Sequence, residues 1–365
     1  MVDIAADPSL RCGAGPPSAA LERSVAFKLS NSLKGSASGI ARTISEYEKR
    51  FRTTRRGKRE RTALDHKEIN DLYYDVVTDF YEFGWGRSFH FAPRVPGESF
   101  TASLVRHEHY LAHKLGLGPG MVVADLGCGV GGPLLEIARF SGARIVGVNS
   151  NAYQLKHARK YARKAELTHL AEFMHCDFLE VDAPDGSFDA VYSIEATCHA
   201  PDKISIYGEV FRLLKPGACF AAYEYCMTER FDAEDPHHLK VKADLQLGGG
   251  LLLIDDQQTV NDALRSVGFE VLETRDLSAH SGPSIPWYQP LAGSGFSLAS
   301  FRSSRIGRSV THKTLRLLEA LRITPKGSVR VAETLNLCAV AMVEAGRLGI
   351  FTPMYFIHAR KPATG

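Results

Sequence analysis

The sequence predicts an α/β fold, a parallel sheet with helices on both faces, and three observations carry that prediction. Val122-Val-Ala-Asp-Leu-Gly-Cys-Gly-Val-Gly-Gly-Pro133 reads as a short buried strand, a glycine turn and the start of a helix. Short apolar, β-branched runs then alternate with helical patterns as far as residue 276, the signature of repeated βα units. Finally, Asp125, Asn149, Asp177 and Glu195 all fall where a strand ends, the edge at which open parallel sheets hold ligands.

Taken in order, residues 1–38 are rich in Ala, Ser, Gly and Pro without a period, so a disordered tail is expected, reaching to about residue 44. Lys49-Arg-Phe-Arg-Thr-Thr-Arg-Arg-Gly-Lys-Arg-Glu-Arg61 is basic. It is either a solvated arm or a patch drawn to an anionic membrane, at roughly 1 kcal/mol per basic side chain. Residues 69–83 fit a helix with Leu72, Val76, Phe80 and Phe83 near one face. Tyr81-Glu-Phe-Gly-Trp-Gly-Arg-Ser-Phe-His-Phe91 follows, with five aromatics and a histidine around two glycines. Loops are usually polar, so this stretch is either a staple over the core or a wall of an apolar pocket. Residues 99–117 read as a helix carrying Arg106-His-Glu-His-Tyr110.

Strands are expected at 122–125, 144–149, 172–175, 188–194, 219–227 and 270–276, with helices at 133–140, 151–165, 203–214 and 257–267. Gln246-Leu-Gly-Gly-Gly-Leu-Leu-Leu-Ile254 reads as a glycine turn feeding an apolar run, and residues 283–295 as a loop holding Trp287 and Tyr288. Helices at 315–321 and 329–346 and a closing strand at 354–359 complete the chain. The part from about Trp287 onward looks like a small cap on the core.

Composition narrows the function. The chain has 365 residues, 44% hydrophobic and 23% charged, with a net charge of +3. That balance gives no case for nucleic acid as the main partner. Seven scattered cysteines without paired spacing read as reduced thiols, not as a disulfide frame or a zinc site, and no metal is expected. No apolar run approaches the ~18 residues of a membrane span, and the first residues lack a signal-peptide core.

The glycine turn lacks Gly-Lys-Ser/Thr, which excludes a Walker phosphate loop. Gly127, Gly129 and Gly131 let a ligand approach the backbone, and Cys128 lies between the first two. Asp125 stands two positions before the first glycine. A carboxylate there repels a pyrophosphate and suits a cation, such as the ammonium and sulfonium of S-adenosylmethionine. Asn149 occupies the place where such folds usually set an acid for ribose hydroxyls, and an amide can accept and donate there too. Asp177 is either an acceptor for the adenine amino group, with Phe178 against the ring, or a turn residue. Glu195-Ala-Thr-Cys-His199 crowds three reactive side chains at a strand end, and Glu224 lies between Tyr223 and Tyr225.

These motifs together identify a resemblance. Tyr81–Phe91, Asp125–Pro133, Ile194-Glu-Ala-Thr-Cys-His-Ala-Pro201, Ala222-Tyr-Glu-Tyr225, Phe351-Thr-Pro-Met354 and Ala359-Arg-Lys-Pro362 resemble the sterol 24-C-methyltransferases over about residues 45–362. The resemblance implies a Rossmann-like class I methyltransferase sheet with an antiparallel final strand. It implies a helical, substrate-binding segment over 45–118, an S-adenosylmethionine-binding core over 119–285 and a sterol methyltransferase region over 286–362. The implied reaction is methyl transfer from S-adenosylmethionine to C24 of a Δ24 sterol. The implied setting is the cytoplasmic face of the endoplasmic reticulum or a lipid droplet, bound peripherally, often as a homo-oligomer. One segment departs from the family: Gln246-Leu-Gly-Gly-Gly-Leu-Leu252 stands where a Gly-Asp-Gly or Gly-Asn-Gly step is usual.

Methylating an alkene leaves a cation near C25, which aromatic faces stabilise by about 0.5–2 kcal/mol each and from which water must be excluded. Tyr81, Trp85 and Phe89 are expected to line that region, with Glu82 as a fixed negative charge. Glu195, Glu224 and His199 are the candidates for the base, with His107 and Glu108 behind them. His90 either holds the sterol hydroxyl or satisfies a backbone carbonyl. The expected cofactor contacts are Asp125, Gly127, Cys128, Gly129, Gly131, Asn149, Gln154, Asp177, Phe178 and Glu195. A methyltransferase for a phenolic or fatty-acyl acceptor, and an inactive lipid-binding scaffold, are the rival readings.

Overall fold

The computed structural model describes residues 39–56, 63–279, 285–292 and 305–363. Two helices lead, α1 (Gly39–Arg56) and α2 (Ala63–Gly84), followed by α3 (Phe100–Lys114). The core then alternates: β1 (Val122–Leu126), α4 (Gly132–Ser141), β2 (Arg144–Asn149), α5 (Ala152–Lys164), β3 (Ala171–His175), β4 (Phe188–Ile194), α6 (Lys203–Leu213) and β5 (Leu214–Met227). Next come α7 (Pro236–Gly249), α8 (Gln257–Val267), β6 (Glu270–Asp276), the short α9 (Gln289–Ala292), α10 (Arg305–Ala320), α11 (Ser328–Leu348) and β7 (Phe351–Arg360).

The seven strands form one sheet in the order β3-β2-β1-β4-β5-β7-β6. β1 to β5 pair in parallel, and β7 runs antiparallel to both β5 and β6. Alternation along each strand divides the core in two, because successive side chains point to opposite faces. Val123, Ile145, Tyr192 and Tyr223 pack with Leu111, Leu134 and Leu245 on one face. Ala124, Val146, Val191 and Phe220 pack with Ile206, Val210, Val260 and Leu264 on the other. A third cluster joins α1 and α2 through Ile44, Tyr47, Tyr73 and Val77.

The structure refines several expectations. The expected tail lies outside the described residues as far as 38, but 39–44 already belong to α1, whose Ile40 and Ile44 are buried. The basic run continues α1 to residue 56, and 57–61 lie outside the described residues. The expected closing strand is β7, antiparallel as the resemblance implied; it enters the sheet between β5 and β6 with eight of its ten residues buried, so the C-terminal region is part of the core as well as a cap. Lastly, 246–249 is no turn but the end of α7, with Gly250 at its left-handed stop (φ +72°). A Cβ on Gly248 would come within 2.6 Å of Cys338 in α11, and one on Gly250 within 2.9 Å of Tyr73 in α2. Gln246 donates from Nε2 to the Leu252 carbonyl at 2.8 Å. The glycines thus allow helix crossing.

Candidate active site

At the carboxyl edge of the sheet, Asp125 is the penultimate residue of β1 and the chain then turns through Gly127, Gly129 and Gly131. All three glycines have φ between +54° and +82°, the left-handed region that side chains rarely adopt. A Cβ on Gly127 would overlap the methyl of Ala196. The turn is fastened by Gly127 and Cys128 N–H groups donating to the Val148 carbonyl at 2.9 and 3.1 Å. Asn149 donates to the Gly129 carbonyl (3.2 Å) and to Gln154 Oε1 (2.9 Å) and accepts from the Asn151 N–H (3.0 Å).

This loop floors a cavity of about 100 Å³ lined also by Asn70, Asp71, Tyr74, Phe89, Phe178 and Glu195. Asp125 is buried, and its Oδ2 has no hydrogen-bond partner among the described residues. Burial pushes its pKa up to about 7. Glu195 follows β4 with φ +52°, a left-handed conformation that costs a non-glycine residue about 1–3 kcal/mol. Its Oε1 accepts from the Phe91 N–H at 2.7 Å and its Oε2 from the Tyr225 hydroxyl at 2.8 Å. Burial pushes its pKa up to about 8, against the pull of nearby His90.

Helix α2 roofs the cavity through polar contacts with β2, α5 and the turn after β4. Asp71 accepts from Ser150 (3.1 Å), Asp75 from Asn151 (2.9 Å), Asp79 from Tyr153 (2.8 Å) and Thr78 from Gln154 (3.1 Å). His199 donates from Nδ1 to Asn70 Oδ1 (3.0 Å) and accepts at Nε2 from the Tyr74 hydroxyl (2.9 Å). Burial lowers the pKa of His199 to about 3, so the ring stays neutral.

Comparison with known proteins meets this geometry. A methyltransferase-domain profile matches residues 124–222, and a sterol methyltransferase C-terminal profile matches 298–363. The cycloartenol-C-24-methyltransferase of Arabidopsis thaliana is 46% identical over 325 residues, 89% of this chain and 96% of the relative. This chain belongs to the sterol 24-C-methyltransferase family. The sterol 24-C-methyltransferase of Saccharomyces cerevisiae is 45% identical over 310 residues, 83% of this chain and 81% of that one. Among solved structures, a mycolic acid cyclopropane synthase superposes with a TM-score of 0.62 at 16% identity, covering 80% of this chain and 96% of that one. A geranyl diphosphate C-methyltransferase from Streptomyces coelicolor gives 0.59 at 18% identity, covering 81% and 98%. Both share the fold.

As a sterol 24-C-methyltransferase family member, the protein is an S-adenosylmethionine-dependent enzyme. Its cavity fits that cofactor. Asp71, Asp125 and Glu195 all face it, and the unpartnered Asp125 oxygen is a ready acceptor for an ammonium. Of the expected cofactor contacts, Asp125, Gly127, Cys128, Gly129, Asn149, Gln154, Phe178 and Glu195 line the cavity. Gly131 is instead the left-handed residue before α4. Asp177 lies off the cavity lining and caps a turn, accepting from the Leu179 N–H at 3.0 Å.

The expected catalytic set divides. Glu195, His199 and His90 line the cavity; Tyr81, Glu82, Trp85 and Glu224 do not. Tyr81 sits behind Phe89, with ring centres 5.3 Å apart, and shares a hydrogen bond with Tyr73 at 2.7 Å. Trp85 packs on Phe91 and Phe100 and donates to the His90 carbonyl at 3.1 Å. The aromatic stretch is therefore both staple and wall. Glu82 points to α5, bound by His157 (2.6 Å) and Tyr161 (2.5 Å), because helix periodicity puts it on the row of Asp75 and Asp79. His90 faces an oxygen at each ring nitrogen, the Phe91 carbonyl at 2.8 Å and Glu108 at 2.9 Å. Burial opposes charge on it, but Glu108 prevails and raises its pKa. With both nitrogens occupied, its reading as a partner of a backbone carbonyl holds. Glu108 is spent on His90 and Ser88, and His107 is stacked on Tyr223 with centres 3.6 Å apart. Cys198 turns inward to the Glu195 carbonyl at 3.4 Å. Sequence reading missed Asn70, Asp71 and Tyr74. The acidic spacing Asp71, Asp75, Asp79 was the available signal.

Proposed function

We propose that this enzyme transfers the methyl group of S-adenosylmethionine to C24 of a sterol bearing a Δ24 double bond, and that Glu195 takes up the proton released afterwards. The observation that carries the second step is Glu195 itself. It is a buried carboxylate at the cavity wall, held at a fixed angle by Phe91 and Tyr225. Glu224 is consumed in a buried ion pair off the cavity lining, and the one acceptor nitrogen of the neutral His199 ring is already engaged, whereas the Glu195 carboxylate has acceptor sites beyond its two hydrogen bonds, which favours Glu195 as the base.

The cofactor supplies a methyl group on a cationic sulfur. Asp125 would receive its ammonium, and the glycine turn would let its nucleoside lie close to the backbone. Phe89 and Tyr74 present aromatic surface to the cavity, where positive charge at C25 is stabilised and water is kept out. A cation in the cavity favours the ionised form of Glu195, so the base becomes competent when the site is filled.

Labelled S-adenosylmethionine and a panel of Δ24 and 24-methylene sterols test the reading, with products identified by mass spectrometry. Label in a Δ24 sterol is expected; label in none, with the cofactor bound, overturns it. Glu195→Gln is expected to lower kcat by about 10²–10⁴-fold while cofactor binding persists. An acid with a pKa of about 8 is ionised only above that pH. Hence kcat/KM of the wild type should rise as pH rises through about 8, and this limb should vanish in Glu195→Gln.

Peripheral binding to a membrane, at the endoplasmic reticulum or a lipid droplet, is part of the same reading. Among the described residues no helix is long and apolar enough to cross a membrane. Leu317, Leu321 and Ile323 at the end of α10 are exposed, with Lys313, Arg316, Arg322 and Lys326 around them. Such a patch supports contact with an anionic lipid surface, and co-sedimentation with vesicles lost on Leu317→Ser/Leu321→Ser would check it. The family resemblance supports a homo-oligomer, which sedimentation velocity measures.

A further inference from the structure

Beneath the site lies a buried ion pair that the proposed chemistry does not use. Lys203 opens α6, and Glu224 stands in β5; both are buried, with Nζ to Oε1 at 3.1 Å. Asp255 lies 3.9 Å from the ammonium, and the Tyr207 hydroxyl donates to Glu224 at 3.3 Å. Burying two charges costs desolvation that their attraction rarely exceeds by much, so such a pair is weak as a source of stability. What distinguishes this one is what it holds.

Both partners grip Thr197, which is itself fully buried. Lys203 Nζ donates to the Thr197 carbonyl at 3.0 Å, and the Thr197 hydroxyl donates to Glu224 Oε2 at 2.5 Å. Thr197 is the middle of the turn from Glu195 to His199, and both ends of that turn face the cavity. The two ends of the turn are held by contacts of their own, Glu195 by Phe91 and Tyr225 and His199 by Asn70 and Tyr74, and Glu195 keeps a left-handed backbone at φ +52°. A residue clamped from both sides at the centre fixes both ends at once.

We propose that Lys203 and Glu224 are positioning residues for Glu195 and His199, acting through the two hydrogen bonds to Thr197. The ion pair works as a fixed anchor for the turn and never touches substrate or cofactor. The proposal rests on Glu195 being the proton acceptor.

The test uses the full-length enzyme with S-adenosylmethionine and the best sterol of the panel. Thr197→Val deletes the hydroxyl at nearly constant volume and is expected to cut kcat by about 10- to 100-fold, as small misplacements of reacting groups do, with KM for the cofactor changed less than threefold. Thr197→Ser restores the hydroxyl and should return kcat to within about threefold of wild type. Lys203→Met/Glu224→Gln removes the charges together and avoids an orphaned one. It should lower kcat similarly, and adding Thr197→Val to it should cost little more, because one anchor is being removed twice. Leu264→Ala, in the core of the opposite sheet face, supplies a destabilised control that should keep its kcat.

Thr197→Val with near wild-type kcat overturns the proposal. So does a loss that Thr197→Ser fails to rescue, or one that Leu264→Ala reproduces at equal melting temperature. If Glu195→Gln stays active, the assignment of the base has failed. If Glu195→Gln is inactive while Thr197→Val is not, only the anchor has failed.

Discussion

The floor and the roof of the cavity are built on different principles. The floor is backbone: a glycine turn fastened to β2 by main-chain hydrogen bonds and resting on the packed sheet. The roof is side chain: a helix laid across the opening on a row of acids and amides, each partner coming from a segment some 75–80 residues away in sequence. Backbone built into a core moves only with the core. Polar side-chain pairs at a partly wet interface contribute about 0.5–1.5 kcal/mol each and exchange readily for water. The contrast predicts that substitutions in the floor act on cofactor affinity and those in the roof on the rate at which the cofactor leaves.

The most damaging substitution should therefore be in the floor. Gly127→Ala puts a methyl group into Ala196 at a left-handed position, so titration calorimetry should find cofactor affinity reduced about 100-fold or more. Asp125→Asn keeps the shape and removes the charge, for an expected loss of about 10- to 100-fold. Asp125 titrates at about 7. Wild-type affinity should therefore strengthen as pH rises through 7, and the Asn variant should be flat. Asp75→Ala takes one pair from the roof, and stopped-flow measurement should show cofactor dissociation accelerated by about 2- to 10-fold with the equilibrium fold intact. Glu82→Gln should be mildest, at about twofold or less in dissociation and with an unchanged product spectrum. A product change would return Glu82 to the reaction centre. A roof variant that matched Gly127→Ala in severity would erase the distinction between the two halves.

The same division explains what could be read from the sequence. The floor was legible because strand, turn and helix are adjacent in the chain and glycine has few other reasons to recur at that spacing. The strands from 122 to 276 and the helices between them, α7 excepted, follow for the same local reason. The roof helix was legible only by its apolar face. Asp71, Asp75, Asp79 and Glu82 form a row at spacings of four, four and three, and like charges so placed weaken an isolated helix. That row signals a polar partner, but nothing local says that the partner is the start of α5. Glu82 and Glu224 were misplaced for a related reason. A carboxylate beside aromatics looks catalytic, whereas its role depends on which distant cation or hydroxyl folding brings to it: His157 in one case, Lys203 in the other. The place of Glu195 at the cavity was legible because it lies at a strand end, as Asp125 does.

The place of β7 has a consequence for synthesis. Among the described residues β6 joins the sheet only through β7, yet about 75 residues separate the end of the one from the start of the other. At roughly 5–20 residues per second, a ribosome spends about 4–15 s on that interval. Throughout it the edge of β5 stands open and β6 has no partner, and such edges invite pairing with other chains. An open edge of this kind is a place for a chaperone to act during synthesis.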